Sequence, residues 1–260
     1  MNLKNKIGGA KQRKEMEEMN TREKEAILLF SGGRDSFLAG CYLMEDGFKI
    51  YMVTFENGVG LAAHNAEHGA KRIIKRYGKD KAEFLGVHNV AGIWREFFLP
   101  YFNLKPSEIL EEFGELTISQ FHCLTCRSAM YIWSIVKARQ MGIKYIADGA
   151  RKDQGFVIEL PNMIEKFRNF FAEYGIELLL PVWDLASDWE RKNLLLLRGF
   201  VPKTLEPQCL IGVPLPGGKI PDEEIQKAVG NYFDKIVLPR ARKIIATQSQ
   251  VFLSERGGIL

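Results

Sequence analysis

Ala26-Ile27-Leu28-Leu29-Phe30-Ser31-Gly32-Gly33-Arg34-Asp35-Ser36 runs from five apolar residues directly into a serine, two glycines, a cation, a carboxylate and a second serine. The apolar run has the length of a buried strand, and the segment after it, Phe37 to Met44, has helical spacing. Two glycines at such a strand-to-helix turn let backbone N–H groups approach an anion, and the helix adds its positive N-terminal end. Ser31 and Ser36 can donate hydroxyl hydrogen bonds to phosphate oxygens, and Asp35 suits a magnesium ion that bridges them. The spacing is neither GxxxxGK[ST] nor GxGxxG, which argues against γ-phosphate hydrolysis and dinucleotide binding. A bare capped glycine turn would explain neither Asp35 nor the second serine.

Outward from this turn, short apolar runs alternate with amphipathic stretches, the pattern of a parallel sheet covered by helices on both faces. Strands are expected at Ala26 to Phe30, Lys49 to Phe55, Ala82 to Val87, Tyr145 to Asp148 and Glu177 to Pro181. Crossover helices are expected at Phe37 to Met44, Ala62 to Tyr77 and Cys126 to Met141, with irregular chain from Pro202 to Lys219 and helix from Glu223 to Ala246. The expected division is a charged tail or helix over 1–25, a nucleotide-binding α/β domain over 26–200, and a C-terminal loop and helical extension over 201–260 that completes the site. With 260 residues of which 46% are hydrophobic, the chain can fill a real core. No run approaches the roughly 20 apolar residues of a membrane span, so no membrane partner and a cytoplasmic location are expected. The net charge of +4 permits an RNA partner without requiring one.

Four cysteines are too few and too unevenly spaced for a disulfide framework, which leaves metal or redox chemistry. Cys123 and Cys126 form a CxxC at the expected start of a helix, and Cys209 lies far downstream. Three thiolates from a CxxC and a distant loop can close a three-sulfur iron site with one open position. Three other readings stay open: a zinc site with His122 or Cys41 as fourth ligand, a persulfide pair resolved by Cys209 with thiol pKa lowered at a helix start, or plain burial. Cys41 reads as core.

The SGGRDS segment resembles the signature of the ATP pyrophosphatase, or PP-loop, family. The resemblance implies an adenine nucleotide alpha hydrolase-like, Rossmann-like fold that binds ATP with Mg²⁺ and transfers AMP to a carbonyl oxygen, releasing pyrophosphate. It implies that Ser31, Gly32, Gly33, Arg34, Asp35 and Ser36 hold phosphates and that the Val53 to Asn57 segment, with Phe55, lies at the adenine. It also implies that Ala147 to Asp153 contacts nucleotide or metal through Gly149 and Asp153. That last segment lacks the family's usual histidine and one of its two acidic residues. The CxxC, the Arg127 after it and the late Cys209 resemble the cluster-dependent sulfurtransferase branch, including tRNA thiolation enzymes and 4-thiouridine synthases. There Cys123, Cys126 and Cys209 would carry a four-iron four-sulfur (4Fe-4S) cluster and, with Asp35, form the catalytic set.

The implied function is ATP-dependent thiolation of a tRNA uridine or cytidine. The alternatives are the same chemistry on a small molecule, cluster-free persulfide transfer, and a non-catalytic nucleotide-binding module. Expected partners are ATP, tRNA or a small-molecule acceptor, sulfide or a sulfur-donor protein, and a second copy of the chain. His64 and His68 share a helical face and are expected to point to solvent; the Trp94 to Phe102 stretch, Trp183 and Trp189 are expected in the core or a pocket wall. Arg151, Lys152, Arg191 and Lys192 either ring the site or sit on solvated faces.

Overall fold

The computed structural model describes residues 24–113, 117–152, 155–185, 187–203, 207–212 and 223–256. Five strands form one parallel sheet: β1 (Glu25–Leu29), β2 (Lys49–Glu56), β4 (Ala82–Asn89), β5 (Tyr145–Ala147) and β6 (Glu177–Leu179), in the order β4-β2-β1-β5-β6. Pairing runs Glu25↔Lys49 on one side of β1 and Ala26↔Tyr145 on the other. The order reverses beside β1, so its carboxyl end and that of β5 form the crevice in which such sheets bind ligands.

Alternate strand residues feed two cores. Ile27, Leu29, Tyr51 and Val53 pack on one face, Leu28, Phe30, Ile50 and Met52 on the other. The second face is covered by α1 (Arg34–Glu45), α2 (Ala66–Tyr77) and α7 (Asp188–Leu197). The first is covered by α3 (Ala91–Phe102), α4 (Pro106–Phe113), α5 (Ile118–Met141), α6 (Pro161–Ala172), α8 (Glu223–Tyr232) and α9 (Leu238–Arg256). Val229, Tyr232, Phe233, Val237 and Ile245 are fully or nearly fully buried there, so the C-terminal helical segment is a layer of the main core.

All five expected strands are present, within two residues at each end. The helix expected from Ala62 begins at Ala66, because Ala62 takes a left-handed conformation (φ 61°) and a short 3₁₀ turn intervenes. The helix expected from Cys126 begins at Ile118, where Thr117 and Gln120 form a reciprocal capping box. A π turn at Phe233–Val237 separates α8 from α9 in the expected C-terminal helix. Glu25, expected in the charged tail, already belongs to β1; residues 1–23, Asp153 and most of the expected irregular stretch lie outside the described residues. Within that stretch, β7 (Gln208–Cys209) pairs antiparallel with β3 (Gly60–Leu61). Helices α3, α4, α6 and α7 were not expected. The aromatic run of α3 hides its period, and α6 opens on Pro161, a residue compatible with a first helical turn.

Candidate active site

Helix α1 starts inside the SGGRDS segment. Gly33 is its N-cap in extended conformation and Arg34, Asp35 and Ser36 form its first turn. The loop is pre-folded by its own serines: the Gly33 N–H donates to Ser31 Oγ at 3.1 Å, Ser36 Oγ donates to the Gly33 carbonyl at 3.1 Å, and the two hydroxyls lie 3.2 Å apart. Gly32 has φ +76°, and a Cβ there would lie 3.1 Å from Ala66 Cα on α2, so both conformation and space demand glycine. Gly149 follows β5 and touches the same turn. A Cβ on it would lie 2.6 Å from the Ser36 nitrogen and 2.9 Å from the Asp35 carbonyl carbon. Its role in the protein itself is therefore this close backbone approach.

The Asp35 carboxylate bridges two buried arginines, with Arg151 Nε 3.1 Å from Oδ2 and Arg191 Nε 2.8 Å from Oδ1. Arg191 and Arg34 also meet Asp188, at 3.1 and 2.7 Å. Three guanidiniums are thus gathered at the loop, a charge pattern suited to phosphate. Lys152 and Lys192 pair with Asp184 and Asp188 in the open, where such pairs contribute little.

Ser31, Gly33, Asp35, Ser36, Phe55 and Gly149 line one cleft of about 300 Å³, the lower end of the range for ligand sites. Cys126 and Cys209 line it too, so the SGGRDS turn and two of the thiols share one cavity. Cys209 arrives there through the β3–β7 ribbon, in which it pairs with Gly60. Cys123 stands beside it: a Cβ on Gly212 would lie 3.0 Å from Cys123 Sγ and 3.2 Å from Cys209 Sγ. Cys126 Sγ accepts from Asn57 Nδ2 at 3.0 Å, and Cys209 Sγ lies 3.3 Å from His122 Nε2. Among the described residues no group of three or more His, Cys, Asp or Glu side chains is gathered closely enough to hold a metal ion. Cys126 and Cys209 are each turned to a separate neighbour, Asn57 and His122.

The expected helix-start activation of the CxxC is corrected. Cys123 and Cys126 lie in the second and third turns of α5, away from its N-terminal N–H groups. Burial pushes Cys123 up to about 12 and Cys126 up to about 11, so both are neutral thiols near pH 7. His122 is buried and pushed down to about 4 by desolvation. Cys41 packs in the opposite core and is pushed up to about 11, which removes it as a fourth ligand.

Behind the thiols, Arg127 of α5 ion-pairs with buried Asp148 at the end of β5, and Tyr131 donates to the same carboxylate at 2.7 Å. Glu159, in the 3₁₀ turn Val157–Glu159 before α6, also lines the cleft. Burial pushes its carboxyl up to about 8. Between its ordinary value of 4.5 and about 8 the folded chain holds a proton that the unfolded chain has lost. Its stabilising contribution is therefore complete below pH 4.5 and is lost as the pH rises through 8. Glu159→Gln does not titrate, so its Tm relative to the parent should climb from pH 5 to pH 8 by roughly 2–4 °C per kcal/mol. A Tm difference that stays flat over that range, measured by calorimetry, would place the Glu159 carboxyl at an ordinary value.

Gly32, Arg34 and Cys123 flank the cleft without lining it, and Asp153 lies outside the described residues. Asn57, Asp148 and Glu159 are lining residues to which the sequence alone assigned no role. Asn57 and Asp148 at least stand in the two segments that the resemblance marks, whereas Glu159 carries no signal. His64 and His68 are exposed as expected, and Trp94 is core, its Nε1 donating to Thr125 Oγ1 at 3.1 Å. Trp189 is corrected: it is 75% exposed, because α7 turns Arg191 and Leu195 to the fold and position 189 lies on the other side of the helix.

A family model described as thiamine biosynthesis protein (ThiI) matches residues 21–164, just over half of the chain. Among solved structures, a 4-thiouridine synthetase–RNA complex with bound ATP is similar at 16% identity with a TM-score of 0.55, covering 86% of this chain and 53% of that one. The chain therefore spans about half the length of that synthetase. A predicted subunit of tRNA methyltransferase from Methanocaldococcus jannaschii DSM is 16% identical over 74% of this chain and 99% of that one, at a TM-score of 0.38. No curated protein matches. Among the described residues, no helix is long and apolar enough to cross a membrane.

Proposed function

The chain belongs to the thiamine biosynthesis protein (ThiI) family, and from that premise we propose that it is an ATP-dependent sulfurtransferase acting on a tRNA nucleobase. The observation that carries this reading is the single cleft that holds both the SGGRDS turn and two of the three thiols. The RNA and ATP of the similar synthetase structure support carrying both ligands to this chain.

In the proposed reaction, ATP lies with its phosphates on the N–H groups of the loop and of the first turn of α1, and its base near Phe55. Arg151 and Arg191, held by Asp35, offset the charge of departing pyrophosphate, and Asp35 also serves Mg²⁺. A base carbonyl oxygen attacks the α-phosphorus, the bond to the β-phosphate oxygen breaks, and pyrophosphate leaves. Sulfur then attacks the activated carbon, and the carbon–oxygen bond breaks to release AMP. The sulfur comes as sulfide, or from a donor protein's persulfide whose S–S bond is then cleaved by a second thiol, leaving a disulfide.

The donor chemistry of Cys123, Cys126 and Cys209 fits a 4Fe-4S cluster. Cys123 and Cys209 meet at Gly212, Cys126 shares the cleft lining with Cys209, and burial keeps Cys123 and Cys126 protonated until a metal displaces the proton, which disfavours a free persulfide route. A bound cluster would supply an open iron able to carry sulfide. The chain's part is to place the thiols beside the nucleotide, with Asn57 and His122 hydrogen-bonded to two of them.

Two measurements test this. Pyrophosphate release should require ATP and bulk tRNA, and Asp35→Ala should lower it about 10- to 100-fold, the worth of a charge-assisted hydrogen bond. Unchanged release would remove Asp35 from the reaction, and no tRNA shift even at low salt would move the acceptor to a small molecule. Anaerobically purified protein should be brown and contain iron, both lost in Cys123→Ser. A colourless protein with stoichiometric zinc would overturn the cluster.

A further inference from the structure

Glu159 is only 4% exposed, yet it lines the cleft, and its Oε2 is buried without a hydrogen-bond partner among the described residues. The backbone N–H of Arg151 serves the carboxyl from one side. A buried polar oxygen left unpaired costs roughly 1–3 kcal/mol, so a chain that keeps one in a cavity wall has a use for it there.

Its position separates it from the adenine side of the cleft. The Val157–Glu159 turn packs on α5, the helix of the CxxC, and sets Glu159 close enough to Arg127 and Cys123 to influence the ionisation of both. Phe55 and Thr54 stand instead at the end of β2. The carboxyl therefore lies between Arg151, which holds Asp35 at the loop, and Cys123 on α5, the interval in which an acceptor would meet both nucleotide and sulfur. Arg127 is already committed to Asp148, and Tyr131 donates to the same Asp148 carboxylate. Among the described residues of that wall, Glu159 keeps an oxygen with no hydrogen-bond partner and so has capacity for a ligand.

Resting on the sulfurtransferase reading above, we propose that the Glu159 carboxyl is the base-reading group of an acceptor subsite. It hydrogen-bonds the Watson–Crick edge of a pyrimidine whose 4-position is to be activated. Such an edge sets a donor beside an acceptor, N–H beside C=O in uracil. A protonated carboxyl offers the complementary O–H and C=O, and Gln offers the same pair as N–H and C=O. The raised carboxyl value agrees with this form near pH 7. The two hydrogen bonds orient the ring so that its carbonyl oxygen meets the α-phosphorus and its carbon meets sulfur.

The test is binding of uridine 5′-monophosphate, read by saturation-transfer NMR on the full chain with α,β-methylene-ATP saturating the loop. The parent and Glu159→Gln should bind with affinities within about threefold of each other. Glu159→Leu should lose about tenfold or more, with α,β-methylene-ATP affinity unchanged. Leu fills a similar volume and removes the unsatisfied oxygen but leaves the Arg151 N–H without its acceptor; the two effects, each about 1–3 kcal/mol, oppose one another, so its Tm should stay close to that of the parent. Equal uridine monophosphate affinity in Glu159→Leu and parent overturns the subsite, as does absence of binding to the parent. A loss confined to α,β-methylene-ATP overturns it too, assigning Glu159 to the nucleotide half. Failure of the proposed reaction is read separately, as no tRNA-dependent pyrophosphate release from the parent.

Discussion

Gly149→Val is expected to abolish nucleotide binding and to lower Tm. Its side chain would start 2.6 Å from the Ser36 nitrogen, closer than real Cβ contacts come, and the obstacle is backbone on both sides. Either β5 moves away from β1 or the first turn of α1 is displaced, and α1 carries the N–H groups of the loop. Overpacking of this kind costs about 1–3 kcal/mol, which lowers Tm by roughly 2–4 °C per kcal/mol. Titration calorimetry with ATP should show at least a tenfold loss of affinity, because the displaced groups are those proposed to grip phosphate. Gly92→Ala is the control. Gly92 lies in α3, and a Cβ there would meet nothing within 4 Å, so alanine should leave Tm equal or slightly higher. Parental ATP affinity in Gly149→Val would show that the loop does not depend on this contact.

The second large effect is expected from Arg127→Leu. Asp148 is buried and takes Arg127 and the Tyr131 hydroxyl as its partners, so removing the cation strands a carboxylate away from water. Breaking one side of such a buried pair costs about 3–5 kcal/mol, whereas replacing both sides by apolar groups is often neutral. Urea unfolding should therefore show a strong fall in midpoint for Arg127→Leu, with the slope unchanged. The Arg127→Leu, Asp148→Leu double variant should recover much of it. If the double variant falls by the sum of the single losses, the two residues act independently.

The parallel architecture was legible because the central strands β1 and β2 are buried on both faces and so read as nearly continuous apolar runs, Ala26 to Phe30 and Lys49 to Phe55. The helices were less legible. α3 is apolar nearly all round, and α5 carries buried residues on so many sides that its first turns show no period. The start of α5 is nonetheless written in Thr117 and Gln120, a capping box in plain sequence. A helix taken to start at Cys126 instead puts the CxxC at its N-terminus and leads to the expectation of activated thiols. Burial, which no short motif encodes, produces the opposite.

Local sequence already carried the five strands, the tight glycine turn at Ser31 to Ser36, and three cysteines apart from the core Cys41. These are local matters: a run of apolar residues, two glycines and a pattern of thiols act through their immediate neighbours. Only the tertiary structure decided which groups meet. It paired β3 with β7 to bring Cys209 over the cleft, set Gly149 against Ser36, gave Asp35 to Arg151 and Arg191, and left one oxygen of Glu159 unpaired in the wall. Contacts between residues a hundred positions apart depend on how the layers stack and on what each buried polar group finds when it arrives, and neither is written in any single segment.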